Sequence, residues 1–235
     1  MSNATSNSHS PGAHSLDEIL SQPQCWIASL RDLQQKNTLQ AVAKRFSGAT
    51  EWLFIGCGSS YYVALSAAAS MGRLTGLRAR ALPASEVLLY PDVVPPGAGS
   101  CVPVLISRSG LTSEVIAAAE VLKSRGTPTL AITCATSQPL EGYASETIVL
   151  AHADEKSTVM TRSFTSMLLT VQALAAVVNG DSRFLDSLSL MAQDAAPLLF
   201  AATDKADLLI LDAQTGRLKH DEKKLGQTPQ WLLNP

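Results

Sequence analysis

Two short stretches of this 235-residue chain combine the residue types that hold a phosphate group. They are Gly56-Cys57-Gly58-Ser59-Ser60 and Ser107-Arg108-Ser109-Gly110-Leu111-Thr112. Glycine lets a backbone turn sharply and approach a ligand closely. Ser59 and Ser60 fall where a helix should begin, and a helix start presents free N–H groups and a partial positive charge. The second stretch adds the hydroxyls of Ser107, Ser109 and Thr112 and the guanidinium of Arg108, which can supply a charge-assisted bond. A plainer reading stands beside this one, because a Ser or Thr ahead of a helix commonly caps it. Neither stretch is a nucleotide motif. The chain contains no G-x-x-x-x-G-K-[ST], and Tyr61 occupies the third glycine position of G-x-G-x-x-G.

Both stretches need a strand before them and a helix after them. Trp52–Ile55 and Val102–Ile106 are short apolar runs that read as buried strands. Tyr61–Leu74 and Thr112–Lys123 read as the helices that follow. Arg78–Leu82, Thr129–Thr133 and Glu146–Leu150 supply three more strands, and Phe164–Val178 and Phe184–Leu199 two more helices. Strands that are apolar throughout and alternate with helices imply a parallel sheet covered on both faces. In such a sheet ligands bind beyond the carboxyl ends of the strands, where the strand order reverses. Upstream, Ser15-Leu-Asp-Glu18 fits a capping box and should start a helix. Pro23 opens a second helix through Trp26, Leu30 and Leu33, and Leu39, Val42, Ala43 and Phe46 have the spacing of a third. The chain should divide into a disordered arm at 1–14, a helical extension at 15–48, the α/β domain at 49–203 and a tail at 204–235. Asp207–Leu211 is a further strand candidate within that tail.

Composition narrows the ligand. A net charge of -2 gives no basic footprint for nucleic acid, so a small anion must be held by local groups. Hydrophobic residues make up 46% of the chain, enough for a well-buried core. No stretch reaches the ~18 apolar residues of a membrane helix, and the polar start lacks the pattern of a signal peptide. Cys25, Cys57, Cys101 and Cys134 show no C-x-x-C spacing, and the histidines do not cluster near them. Zinc is not expected, and free thiols suit a reducing, cytoplasmic compartment.

Four motifs in order resemble the SIS (sugar isomerase) domain family. They are Gly-Cys-Gly-Ser-Ser, Pro83-Ala-Ser-Glu86, Ser-Arg-Ser-Gly-Leu-Thr, and Glu155-Lys-Ser-Thr-Val-Met-Thr-Arg-Ser-Phe-Thr165. The likeness covers Ser15 to Asn179. It is nearest to the isomerase half of glucosamine-6-phosphate synthase and to the AgaS-type ketose/aldose isomerases. The resemblance implies a three-layer α/β/α fold with a five-stranded parallel sheet, of flavodoxin-like SIS type. It implies a sugar phosphate held by Ser107, Arg108, Ser109 and Thr112, with Cys57, Gly58, Ser59 and Ser60 near the phosphate and the sugar hydroxyls. It also implies that the loop from Thr158 to Thr161 lines the sugar pocket. Arg108 stands where the synthase has Gln, Leu111 where it has an acidic residue, and Met160 where it has Ser. No metal or organic cofactor is implied.

Aldose–ketose exchange needs groups that move protons. Glu86 and Glu155 are the candidates, each with an alternative: a cap or turn-binding carboxylate for Glu86, and a solvated pair with Lys156 for Glu155. Cys57 has the position of a nucleophile at a helix start, against which stands a packing role. The related isomerases carry two SIS domains, and Asp207–Leu211 is not followed by a second Gly-x-Gly-Ser turn. Three readings follow: a phosphosugar-binding module, an aldose–ketose phosphosugar isomerase, or a non-catalytic sugar-phosphate sensor or truncated fragment of a tandem enzyme. A face left bare by a missing second domain predicts a homo-oligomer. Partners in nucleic acid or membrane are not expected.

Overall fold

The computed structural model describes residues 13–95, 100–203, 209–211 and 218–221. Residues 1–193 form one compact unit and 194–235 another. The first unit is built on five parallel strands, β1 (Glu51–Gly56), β2 (Arg78–Pro83), β3 (Cys101–Ile106), β4 (Leu130–Thr133) and β5 (Glu146–Val149), in the order β2-β1-β3-β4-β5. This is the expected α/β architecture.

Every residue of β3 and all but the first of β1 are buried, which is why these strands read as unbroken apolar runs. Side chains alternate between the two faces. Trp52, Phe54, Val104 and Ile106 enter one core, with residues of α2 (Gln22–Gln35), α3 (Thr38–Arg45), α4 (Ser59–Thr75) and α7 (Arg162–Asn179). Leu53, Ile55 and Leu105 enter the other, with residues of α5 (Ala84–Leu89) and α6 (Ser113–Ser124). Buried Ala64 and Ala67 keep α4 slim where it packs against α7.

The register brings the strand ends level. Ile55 pairs with both Leu82 and Leu105, and Gly56 pairs with Pro83. The order reverses between β1 and β3, so the turns after these two strands lie side by side at the switch point.

Several boundaries depart from the sequence reading. α1 runs Ala13–Leu20, so Ser15 lies inside a helix and not at its cap. Of the arm expected at 1–14, residues 1–12 lie outside the described residues, and Ala13 and His14 are helical. The short helix α5 was not anticipated, because six residues carry too little periodicity. α8 extends over Ser182–Thr203. In the second unit, β6 (Leu209–Leu211) and β7 (Leu218–Asp221) pair antiparallel. The rest of the strand expected from Asp207 lies outside the described residues.

Candidate functional site

The turn after β1 is set by two glycines. A Cβ on Gly56 would lie 2.5 Å from the Ser60 carbonyl oxygen and 2.7 Å from the Tyr61 nitrogen, so only glycine permits α4 to start this close to the strand. Gly58 has φ +55° and ψ −128°, a conformation that side chains disfavour. Helix α4 begins at Ser59, two residues earlier than its apolar pattern predicts. Ser59 is exposed at the helix start, whereas Ser60 is buried and its hydroxyl points to the Met160 sulfur at 3.9 Å.

Cys57 is half-buried, and its surroundings disfavour the thiolate. Burial pushes the thiol up, and the neighbouring Glu114 carboxylate pushes it further by charge and by accepting a hydrogen bond. Glu114 sits in the first turn of α6. Its own backbone N–H, the Ser113 hydroxyl and the Cys57 thiol hold its carboxyl below the usual range. Glu114 therefore stands between the two turns. The sequence reading missed it because an acid in a first helical turn looks like ordinary dipole pairing.

The turn after β3 is more tightly held. Ser107 is fully buried and shares a hydrogen bond with the Thr112 hydroxyl at 3.1 Å. Ser109 Oγ accepts the Leu111 N–H at 3.2 Å, and the Gly110 N–H donates to the Ser107 carbonyl at 3.2 Å. Gly110 has φ +63°, and a Cβ there would lie 2.6 Å from Gln138 Cβ. Thr112 caps α6. Among the described residues, the backbone N–H groups of Ser109 and Thr112 have no acceptor. These are donors an anion can take.

Arg108 connects the turn to the rest of the site. Its carbonyl accepts the N–H groups of Cys134 and Ala135 and the Thr133 hydroxyl, at 2.9, 3.2 and 3.0 Å. Its guanidinium donates to the carbonyl of Ser157 at 2.8 Å and approaches that of Thr158 at 3.5 Å. It also lies 3.7 Å from the Glu155 carboxylate. The loop between β5 and α7 is thereby tied to the turn after β3.

Glu155 anchors this loop from inside. Its side chain is completely buried. Oε1 accepts the Thr161 N–H and hydroxyl at 2.7 and 2.6 Å and the Ser163 N–H at 3.2 Å, and Oε2 accepts the Ser163 hydroxyl. The pair with Lys156 considered from sequence does not form; the charge partner is Arg108. Thr161 gives its hydroxyl proton to Glu155, and Thr158 is exposed. Glu86 lies in α5, three residues past Pro83, with an exposed side chain that has no partner among the described residues. His152 lies 3.3 Å from Asp32, away from the turns.

The structure thus brings together Cys57–Ser60, Ser107–Thr112 and the 155–161 loop, and leaves Glu86 beside them at the end of β2. Two cavities of about 220 Å³ lie elsewhere, one lined by Arg45, Phe46 and Pro128, the other by Ser29, Asp32 and His152. Among the described residues, no three His, Cys, Asp or Glu side chains converge as a metal site. No helix there is long and apolar enough to cross a membrane.

The chain has relatives of known kind. The glutamine–fructose-6-phosphate aminotransferase (isomerizing) of Aeropyrum pernix is 26% identical over 172 residues, 73% of this chain and 27% of that protein. The chain therefore spans about a quarter of the length of the curated relatives it matches. The tagatose-6-phosphate ketose/aldose isomerase of Escherichia coli shares the fold, with TM-score 0.66 and 22% identity over 80% of this chain and 53% of that one. So does the Vibrio vulnificus NanR protein complexed with ManNAc-6P, with TM-score 0.56 and 23% identity over 75% of this chain and 68% of that one. The family profile of the SIS domain matches residues 46–177, more than half of the chain, and takes in both turns and the loop between β5 and α7; the chain belongs to the SIS domain family.

Proposed function

We propose that the chain binds a phosphorylated sugar, with the phosphate at Ser107–Thr112 and the sugar directed to Cys57–Ser60 and the Thr158–Thr161 loop. One observation carries this reading: two Gly/Ser turns stand side by side at the switch point of the sheet, each opening a helix. The free N–H groups of Ser109 and Thr112 and the hydroxyls of Ser107, Ser109 and Thr112 suit a phosphate ester. Arg108, with a side chain 23% exposed, keeps donors beyond those it gives to the loop. ManNAc-6P in the NanR complex is a ligand of the same class.

A second reading, aldose–ketose isomerisation of a hexose or hexosamine phosphate, is favoured by Glu86. A base must take the proton from one of two adjacent carbons and return it to the other. Glu86 is exposed, unpartnered among the described residues and at the correct end of the sheet. The buried and saturated Glu155 is better suited to hold the loop. A sensor would use the same site without turnover.

The test is to incubate the chain with fructose 6-phosphate and follow the sugar by NMR while measuring affinity by calorimetry. Binding with conversion, lost in Glu86→Gln, supports the isomerase. Binding without conversion supports the module or sensor. Absence of binding by this and the other hexose and hexosamine phosphates would sink the reading.

A further inference from the structure

Among the described side chains of α1, one is fully buried, and it is the acid Glu18, 3% exposed. Leu16, the residue an amphipathic helix would be expected to bury, is 50% exposed. A carboxylate in this position costs free energy unless it is hydrogen-bonded. All its bonds go to one dipeptide far along the chain. Oε1 accepts the N–H of Lys156 at 2.6 Å and of Ser157 at 3.1 Å, and Oε2 accepts the Ser157 hydroxyl.

The same segment presents its opposite side to Arg108. The Ser157 carbonyl accepts the guanidinium at 2.8 Å, and the Thr158 carbonyl lies 3.5 Å from it. Glu18 thus holds the N–H side of a short stretch whose C=O side seats the arginine. Bonds in such a chain polarise and reinforce one another. The base of the support is braced as well. Arg162 donates to the Ser21 hydroxyl at 3.0 Å, and the Thr165 hydroxyl donates to Gln22 at 2.9 Å while accepting from the Trp26 indole N–H at 3.0 Å.

We propose that Glu18 is a positioning residue of the phosphosugar site: it fixes the Lys156–Ser157 backbone, which in turn holds the Arg108 guanidinium at the phosphate turn. The helix before the α/β core is then part of the ligand machinery. This rests on the reading of the turn as a phosphate site.

The experiment is a double-mutant cycle read by calorimetry with fructose 6-phosphate and glucosamine 6-phosphate. Wild type, Glu18→Ala, Arg108→Ala and the double variant are compared, with backbone amide exchange of the ligand-free proteins alongside. Glu18→Ala should weaken binding about tenfold, an effect of one charge-assisted contact. It should add nothing on the Arg108→Ala background, because its effect passes through Arg108. The Lys156 and Ser157 amides should exchange faster in Glu18→Ala. Glu18→Gln, which keeps an acceptor oxygen, should recover most of the affinity; if the alanine variant does not fold, Glu18→Asp, whose carboxylate is one carbon short of the Lys156 and Ser157 amides, carries the test in its place. Unchanged affinity, unchanged amide exchange, or losses that multiply fully in the double variant would overturn the proposal while leaving the site reading intact. A wild-type protein that binds neither sugar would overturn both.

Discussion

The Arg108 guanidinium donates to the Ser157 carbonyl at 2.8 Å, across 49 positions of sequence, and so fastens the turn after β3 to the loop before α7. The same side chain is the nearest cation to buried Glu155, at 3.7 Å. Replacing it by alanine removes both. Arg108→Ala should lower stability by about 1–3 kcal/mol, the cost of leaving buried acceptors and a carboxylate less well paired. Denaturant unfolding measures this. Arg108→Lys keeps the charge but not the planar fork, and should recover only part of the loss.

Gly56 is constrained by backbone, not by a side chain that could move aside. In Gly56→Ala the new carbon would meet the Ser60 carbonyl oxygen at 2.5 Å. The start of α4 would have to shift, at a cost of about 1–3 kcal/mol typical of overpacking. Gly48→Ala is the control, since nothing lies within 4 Å of the added carbon. Equal melting temperatures for the two variants would contradict the assigned geometry.

Cys57 is suppressed by burial and by Glu114. Removing the carboxylate charge with Glu114→Gln should lower the thiol's ionisation point and speed its alkylation by iodoacetamide several-fold at about pH 8, since the thiolate is the reactive form. Cys101 and Cys134, raised further by burial, should stay slow in both proteins. An unchanged Cys57 rate would show that Glu114 does not touch the thiol in solution.

Burial alone would raise the Glu18 carboxyl, but hydrogen bonds from the Ser157 side chain and the backbone of Lys156 and Ser157 hold it below the usual range. The folded state therefore favours the ionised form. The stability this supplies is present above the ordinary carboxylate range and is lost as pH falls through the lowered folded value. The melting-temperature gap between wild type and Glu18→Gln should be steady near neutrality and close as pH falls through and below the ordinary carboxylate range. A gap that widens on acidification would reverse the sign of the argument.

The parts of this molecule governed by local pattern are readable in its sequence. Trp52–Ile55 and Val102–Ile106 are strands because both faces are buried, and that leaves an unbroken apolar run. The Gly/Ser turns are equally plain, since close backbone approach leaves glycine as the residue that fits. Long-range choices are another matter. Ser15 and Glu18 have capping-box spacing, but Glu18 turns inward to a partner 139 positions away, and no local rule contains Ser157. By its sequence Glu155 is a proton-transfer candidate or a solvated neighbour of Lys156, while the fold seals its side chain beneath Thr161 and Ser163. Glu114 had the look of a helix-start acid, and its contact with Cys57 exists only because β1 and β3 are adjacent.

The central claim is that Ser107–Thr112 takes the phosphate of a sugar. The most direct test is a thermal-shift titration of the chain against hexose and hexosamine phosphates, with the unphosphorylated sugars and a Ser107→Ala/Ser109→Ala variant alongside. The account predicts a rise in melting temperature that grows with phosphosugar concentration, is absent with the free sugars, and disappears in the variant. Equal shifts in wild type and variant, or none with any phosphosugar, would contradict it.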